Sequence, residues 1–464
     1  LVVQPQLAGS AHAPREREGA RQSGFSQPLL DLEEVLTMKL AVTILEETLE
    51  RAIDAIRALD ADHDAIELRA DAFGGRGVDW RAVRAATTKL IIATNRGRGH
   101  VDLDAAIAAG IDLVDVEWGN AIPDAHRDRV VLSHHDYDGM PDVEDLVRSM
   151  RAAACAHVKL AVTPKHFADN ARLLALLDGA PDLTVIGMGG RGLYSRILAP
   201  FFGSALQFVS ADDARPAAPG QLSLARALAI YGPRRDRLSA RTIFAIVGNP
   251  AAQTGSPLIH NAIFRERGID AAYSIFETDT FPDIAEPFAR GDRFAPAGLS
   301  VTAPFKEEAL AFAQCIGAEI APNARDAGSV NTLVRIGGRV VADNTDVDGF
   351  AALISKTSAR TAAVAGAGGT ARAALVALRR AGIEATVFNR TPGKLGAQPL
   401  DALASWRGDL VINTLPGNVA VALPSATTII EAAYGGESQA TFTGLDLLRT
   451  QAVRQSELFL EACS

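Results

Sequence analysis

Lys159 stands inside the apolar run HVKLAV, where an ammonium is costly to bury because a low dielectric disfavours the charged form. Desolvation and neighbouring cations lower the pKa of such a lysine, and its neutral amine can attack a ketone to form a Schiff base. The plainer reading pairs it with Glu67 or Glu117 in a buried ion network. His135, in SHHDY, is a candidate proton shuttle, with Asp136 able to orient it and His134 as its ambiguous neighbour. A different chemistry is written into Thr361–Thr391, TAAVAGAGGTARAALVALRRAGIEATVFNRT. There Gly366, Gly368 and Gly369 let the backbone approach a pyrophosphate, and a helix from about Thr370 offers unpaired N–H donors. Where an NAD enzyme sets an acid on the ribose 2′-hydroxyl, this chain has Asn389, Arg390, Thr391 and, close by, Lys394. Arginine at that place suits a 2′-phosphate, so NADP(H) is the predicted cofactor.

These residues need a scaffold. From Met38 onward short β-branched runs alternate with amphipathic stretches. The predicted strands are Leu40–Ile44, Ala65–Arg69, Lys89–Ala93, Leu113–Glu117, Val130–Ser133, His157–Val162, Leu183–Met188 and Ala205–Val209. Helical spacing fills Glu47–Leu59, Val143–Ala153 and Phe167–Leu177. Such alternation predicts a parallel sheet with right-handed crossovers. Eight strands close a (β/α)8 TIM barrel, although an open doubly wound sheet has the same local pattern. The C-terminal strand ends, where a barrel builds its site, read Glu67, Arg69, Arg96, Glu117, His135, Lys159 and Met188, with Arg196 shortly after. The charged, aperiodic segment Tyr231–Ala240 reads as a linker, and TIFAIVGNP opens a second alternating unit. In that unit SVTAPFKEE sets Lys306 just past a strand and ADNTDVDGF sets Asp346 in a turn, a separation that means nothing by spacing alone.

Composition bounds the function. The 464 residues include 46 Lys+Arg and 55 Asp+Glu, a net charge of −9 that argues against a nucleic-acid or polybasic membrane partner. With 48% hydrophobic and 22% charged residues the chain is globular, long enough for more than one core. Cys155, Cys315 and Cys463 lack metal spacing and fit a reducing cytoplasm, and no apolar run suggests a membrane span. The expected partners are small anionic molecules, with no metal.

IELRAD, SHHDY, HVKLAVTP, SRILAPFFGS and AAPGQ follow one another as they do in type I 3-dehydroquinate dehydratase, which the chain resembles over about residues 38–232. The resemblance implies that Lys159 forms an imine with the C3 ketone of 3-dehydroquinate. His135 would take the C2 proton and later protonate the departing hydroxyl. Glu67, Arg69, Arg96 and Arg196 would hold carboxylate and hydroxyls, and Gln221 would close over the substrate. Two departures are visible: Ala217 replaces a usual serine, and RGRGH lacks the usual acid after Arg96, leaving His100 or Glu117 to replace it.

GNPAAQTGSPLIHN, SVTAPFKEE, AGSVNT and ADNTDVDGF together resemble shikimate dehydrogenase over about residues 242–464. That resemblance implies Lys306 and Asp346 as a catalytic pair, with Lys306 protonating the alkoxide. It also implies Thr254, Ser256, Thr302, Asn331 and Gln451 on substrate hydroxyls and carboxylate, and Tyr434 beside the nicotinamide. Cofactor contacts would come from Gly366, Gly368, Gly369, Thr370, Asn389, Arg390, Thr391 and Lys394. The substrate loop Ala252-Gln253-Thr254 keeps one hydroxyl of a customary pair, Ser300 replaces an asparagine, and INTLPGN and YGGESQ are trimmed.

The expected fold class is therefore α/β, a TIM barrel followed by a two-lobed dehydrogenase with a Rossmann-type NADP-binding lobe. Residues 1–37 would be a disordered leader or artefact, 38–232 the barrel, 233–241 a linker and 242–350 the substrate lobe. Residues 351–440 would form the cofactor lobe and 441–464 a helix returning to the substrate lobe. The expected function is a cytoplasmic bifunctional enzyme of the shikimate pathway, resembling the plant fusion and the corresponding end of the fungal multifunctional polypeptide. It would convert 3-dehydroquinate to 3-dehydroshikimate and reduce that to shikimate with NADPH. The alternatives for the second half are an NAD(P)-dependent quinate or shikimate dehydrogenase of catabolic direction, or a degenerate, non-catalytic module.

Overall fold

The computed structural model describes residues 38–59, 62–73, 77–96, 101–233, 238–417, 419–424, 428–433 and 440–463. The leader 1–37, His100 and Tyr434 lie outside them, as does most of the predicted linker's centre. Eight parallel strands follow Met38: β1 Lys39–Ile44, β2 Ala65–Arg69, β3 Leu90–Thr94, β4 Leu113–Glu117, β5 Val130–Asp136, β6 His157–Val162, β7 Leu183–Gly187 and β8 Leu206–Ser210. They pair in sequence order from β1 to β7, and β8 returns to β1. At the remaining β7–β8 seam Leu206 N–H donates to Thr184 Oγ1 at 3.1 Å. The expected barrel is what forms. Five of its described helices begin at residues whose side chains accept an N–H three positions on: Thr48, Asp79, Asp102, Asp142 and Ser223.

Alternation along the strands sorts side chains in and out. Ala41, Ala65, Ile92, Leu113, Val131 and Phe208 belong to a core cluster inside the barrel. On the same parity, nearer the C-terminal ends, come Thr43, Glu67, Thr94, Asp115, Ser133 and Lys159. Register aligns them: Thr43 stands opposite Glu67, Thr94 opposite Asp115, and Ser133 opposite both Glu117 and Lys159.

Two further sheets follow. The second comprises β9 Thr242–Gly248, β10 Ala271–Glu277, β11 Gly298–Val301, β12 Glu319–Ile320, β13 Thr332–Ile336 and β14 Arg339–Asp343, in the mixed order β10-β9-β11-β13-β14-β12. The third is parallel: β15 Thr361–Ala365, β16 Glu384–Asn389, β17 Gln398–Pro399, β18 Leu410–Asn413 and β19 Thr428–Glu431, ordered β17-β16-β15-β18-β19. Strand order reverses between β15 and β18, the crevice where such sheets bind ligands. The last helix, Gly444–Ala462, is set by a Thr443/Asp446 capping box. It crosses back to the second sheet, where Phe459 stacks on Phe244 with ring centroids 4.5 Å apart.

The barrel and the second sheet share one continuous apolar core. The barrel helix Gly189–Leu198 packs on β10, and Phe167, Tyr194 and Phe276 meet edge to face at 5.6–6.1 Å. Tyr194 Oη also donates to the Phe294 carbonyl at 2.5 Å. The third sheet has separate cores on its two faces.

Candidate active sites

At the barrel mouth Glu67, Arg69, Arg96, His135, Lys159, Arg196 and Gln221 line a single cavity of about 40 Å³. It shares Arg69, Arg96, His135 and Tyr137 with a cleft of about 680 Å³. Lys159 is 3% exposed, its Nζ donating to Glu67 Oε1 and Asp115 Oδ2, both at 3.1 Å. The Phe208 ring lies 3.6 Å from Nζ. The nearest charges are thus carboxylates, and the cation Arg96 binds those same carboxylates one step further out. Burial would push both acids up, but Lys159 and Arg96 outweigh it, holding Glu67 down to about 2 and Asp115 lower still.

His135 is oriented by Glu117. The Glu117 carboxylate accepts from His135 Nδ1 at 2.7 Å and from its backbone N–H at 2.8 Å. Arg96 Nη1 stands 2.5 Å from the same Nδ1. A ring nitrogen cannot donate to a carboxylate and accept from a guanidinium at once, so Nδ1–H toward Glu117 leaves Nε2 as the free base. Burial, with Arg96 and Lys159 adding, pushes the imidazole below its ordinary pKa against the upward pull of Glu117. These effects together favour the neutral ring. Asp136, expected to orient it, instead accepts from the backbone N–H groups of Asp138 and Gly139, which is a loop-closing task.

The guanidinium of Arg69 is held by Asp71 through bonds of 2.9 and 2.7 Å. Arg196 is buried, and it donates to the carbonyls of Pro219 and Phe208. Burial lowers its pKa to about 10. Gln221 bridges the mouth, donating to Thr43 Oγ1 at 3.1 Å and accepting from Ala217 N–H at 2.7 Å. Sequence reasoning did not name Asp115 and left Glu117 as one of two options. The available signal was their shared parity in LVDVE, which aims both into the barrel.

The second site is a cavity of about 310 Å³ lined by Thr254, Ser256, Thr302, Lys306, Asn331, Asp346, Thr370 and Gln451. Lys306 and Asp346 each open a helix, Lys306–Cys315 and Asp346–Ile354, and their charged atoms lie 2.5 Å apart. Asn331 donates to Asp346 Oδ1 at 2.9 Å, to Thr345 Oγ1 at 3.1 Å and to Gln451 Oε1 at 3.0 Å. Thr254 and Ser256 hydroxyls are 3.1 Å apart. Gln455 adds to the polar lining, and Thr345 donates to Gln451 Oε1 at 3.2 Å; neither was anticipated. Ser300, where asparagine was the expectation, accepts from Tyr273 Oη at 2.5 Å.

The glycine turn sits at the crevice. Gly366 has φ +111°, and a side chain there would strike Thr414 at the end of β18. Around Gly368 there is open space, and the helix it caps, Gly369–Arg380, has no side-chain cap on its first-turn N–H groups. Arg390, Thr391 and Lys394 are exposed beyond β16, and Asn389 donates to the Thr391 carbonyl at 3.1 Å. An uncapped helix start suits a dinucleotide's diphosphate, and an exposed arginine just beyond β16 suits a 2′-phosphate. The hydroxyl of Thr370, expected to serve the cofactor, accepts from Lys306 Nζ at 3.0 Å. Gly369 allows this approach, since a Cβ there would come within 3.1 Å of Lys306 Cβ.

Residues 40–236 match the type I 3-dehydroquinase family and residues 246–333 the shikimate dehydrogenase substrate-binding domain. The chain is 31% identical over 326 residues to the chloroplastic bifunctional 3-dehydroquinate dehydratase/shikimate dehydrogenase of Arabidopsis thaliana, covering 65% of this chain and 52% of that protein. It is 28% identical over 308 residues to the shikimate biosynthesis protein AroDE of Chlamydia pneumoniae, covering 63% and 62%. The chain thus spans between half and two thirds of the length of these curated relatives. A solved shikimate 5-dehydrogenase from Thermus thermophilus, in complex with NADP(H) and shikimate, is 27% identical, covering 47% of this chain and 93% of that one, with a TM-score of 0.40.

Proposed function

We propose that this chain, homologous to proteins that join a dehydroquinase to a shikimate dehydrogenase, carries out both steps: dehydration of 3-dehydroquinate and reduction of the product to shikimate. The observation that carries the first half is a buried lysine and a carboxylate-oriented histidine in one arginine-lined cavity. Attack requires the free amine, so the Lys159 ammonium first gives up a proton to a group of this cavity. The amine then adds to the C3 ketone and water leaves, forming the imine. With the imine as electron sink, His135 Nε2 removes the C2 proton. The resulting imidazolium protonates the departing hydroxyl, and hydrolysis frees 3-dehydroshikimate and Lys159. Arg69, Arg96 and Arg196 suit the substrate carboxylate and hydroxyls. Borohydride added with 3-dehydroquinate should trap a stable adduct on the peptide containing Lys159. An unmodified Lys159 peptide sinks the Schiff-base reading.

In the second cavity Thr254, Ser256, Asn331 and Gln451 present hydroxyl and amide groups to a polyhydroxylated carboxylate. NADPH, when bound at the β15–β18 crevice, supplies the hydride that reaches the ketone carbon. Lys306 protonates the alkoxide as it forms, and Asp346 holds the ammonium in place. The pair's closeness inside a formed cavity supports a working reductase over a degenerate module, and Arg390 supports NADPH over NADH. Comparing rates with each cofactor on 3-dehydroshikimate and quinate separates biosynthetic from catabolic use. Three free cysteines suit a cytoplasmic setting, and no described helix is long and apolar enough to cross a membrane.

A further inference from the structure

We infer that Arg226, a residue of the barrel, is a positioning residue for the reductase: it holds the substrate loop that carries Thr254, so the second site is complete only on an attached barrel. The inference rests on the reductase reading of the second cavity.

The loop runs through residues 249–255, between β9 and the helix Ser256–Glu266. It has no strand partner, so its carbonyls need another donor or water. Arg226 lies in the barrel's last helix, Leu224–Tyr231, which packs against Ser256–Glu266. Its Nη2 donates to the carbonyls of Ala252 at 3.2 Å and Thr254 at 3.3 Å, and its Nη1 donates to Gln253 Oε1 at 3.3 Å. One rigid fork thus binds three consecutive residues. All three acceptors are neutral, so the contact works as a geometric clamp and not as an ion pair.

The loop's other side leads back to the barrel as well. Glu277, at the end of β10, accepts the N–H groups of Ala251 at 2.8 Å and Ala252 at 3.0 Å. Gly190 of the barrel stands so close to that carboxylate that any side chain there would overlap it. Arg191 pairs with Asp279, whose other oxygen accepts from Asn249 Nδ2 at 2.6 Å. The loop's acceptors are therefore bound to the barrel directly and its first side chain through Asp279, while the carboxylate that holds two of its donors lies against Gly190. Gln253, where the family's loop has a different residue, presents the amide oxygen that Arg226 takes.

The test compares the full-length chain with Arg226→Ala and Arg226→Lys, with Lys306→Ala as the chemistry control. In Arg226→Ala the KM for 3-dehydroshikimate should rise about tenfold, while reductase kcat, the KM for NADPH and both dehydratase constants stay within about twofold. Arg226→Lys should recover part of the loss, because an ammonium reaches a carbonyl but cannot fork. Hydrogen exchange of the peptide spanning 249–256 should quicken in Arg226→Ala by about tenfold. Unchanged KM with unchanged exchange overturns the inference. So does a parallel fall in both activities, which marks a residue that merely holds the fold together. If the unaltered chain turns over 3-dehydroquinate but shows no reductase activity, the reductase reading fails separately. Exchange then decides the clamp: faster in Arg226→Ala supports it and unchanged overturns it.

Discussion

Both sites hold a lysine against acid, yet they are assembled in opposite ways. In the barrel, Lys159, Glu67, Asp115 and His135 stand on strands of a single sheet, and register alone brings them together. In the second unit Lys306 and Asp346 open two helices, Thr370 comes from the third sheet's first helix, and Gln451 from the C-terminal helix. The loop carrying Thr254 is fastened from the barrel. A closed sheet cannot shift one strand without flipping every side chain to the other face. A site shared among lobes can open and close around a cofactor. The first design favours a fixed acid–base geometry, the second a gated one.

Removing the central lysine from the rigid site should have the largest effect. Lys159→Ala should lower dehydratase kcat by about 10⁴-fold or more while leaving the reductase intact. Steady-state assays of both reactions check it, and a residual dehydratase above a hundredth of normal would break the contrast. In the gated site, Lys306→Ala combined with Asp346→Asn should lower reductase kcat by about 10²- to 10³-fold with normal dehydratase. A change confined to KM would recast the pair as substrate binders.

A smaller effect sharpens the comparison within the barrel. Because burial and neighbouring cations hold His135 below its ordinary range, the neutral base survives as pH falls through 6.5. Dehydratase kcat/KM should therefore stay level there and decline only at lower pH. Glu117→Gln removes the group that raises the imidazole, so the acid limb should move lower still. The plateau should fall about 10- to 100-fold as the ring loses its orientation. A pH–rate profile of the two proteins decides both points, and an acid limb moving upward contradicts the assignment. The smallest change belongs to the exposed cofactor contact. Arg390→Ala should raise the KM for NADPH about tenfold with little change for NADH. Equal effects on both cofactors would remove the 2′-phosphate from the account.

This contrast also governs what could be read in advance. Strand ends are local objects, so the barrel and the places of Glu67, Arg96, His135 and Lys159 were legible from short patterns. Asp115 was not singled out, because an acid inside LVDVE gains its meaning only when register sets it beside Lys159. Glu117 and His100 were equivalent on paper; the hydrogen bond to His135 identifies Glu117 as a partner, and His100 lies outside the described residues. Lys306 and Asp346 were found through family resemblance, since no local pattern joins two helix starts forty positions apart. Arg226 carries no signal at all in a helix of ordinary amphipathic spacing; its partners arrive from a different unit.

The continuous core between barrel and second sheet divides the molecule differently from its two chemistries. Melting should follow the core. The barrel and the second sheet would lose structure in one cooperative transition, and the third sheet, with apolar cores of its own, in another. Scanning calorimetry with added NADPH should raise the cofactor-lobe step and leave the larger one nearly in place. A chain severed between its two activities would expose the aromatic seam of Phe167, Tyr194 and Phe276, and should aggregate rather than yield two soluble enzymes.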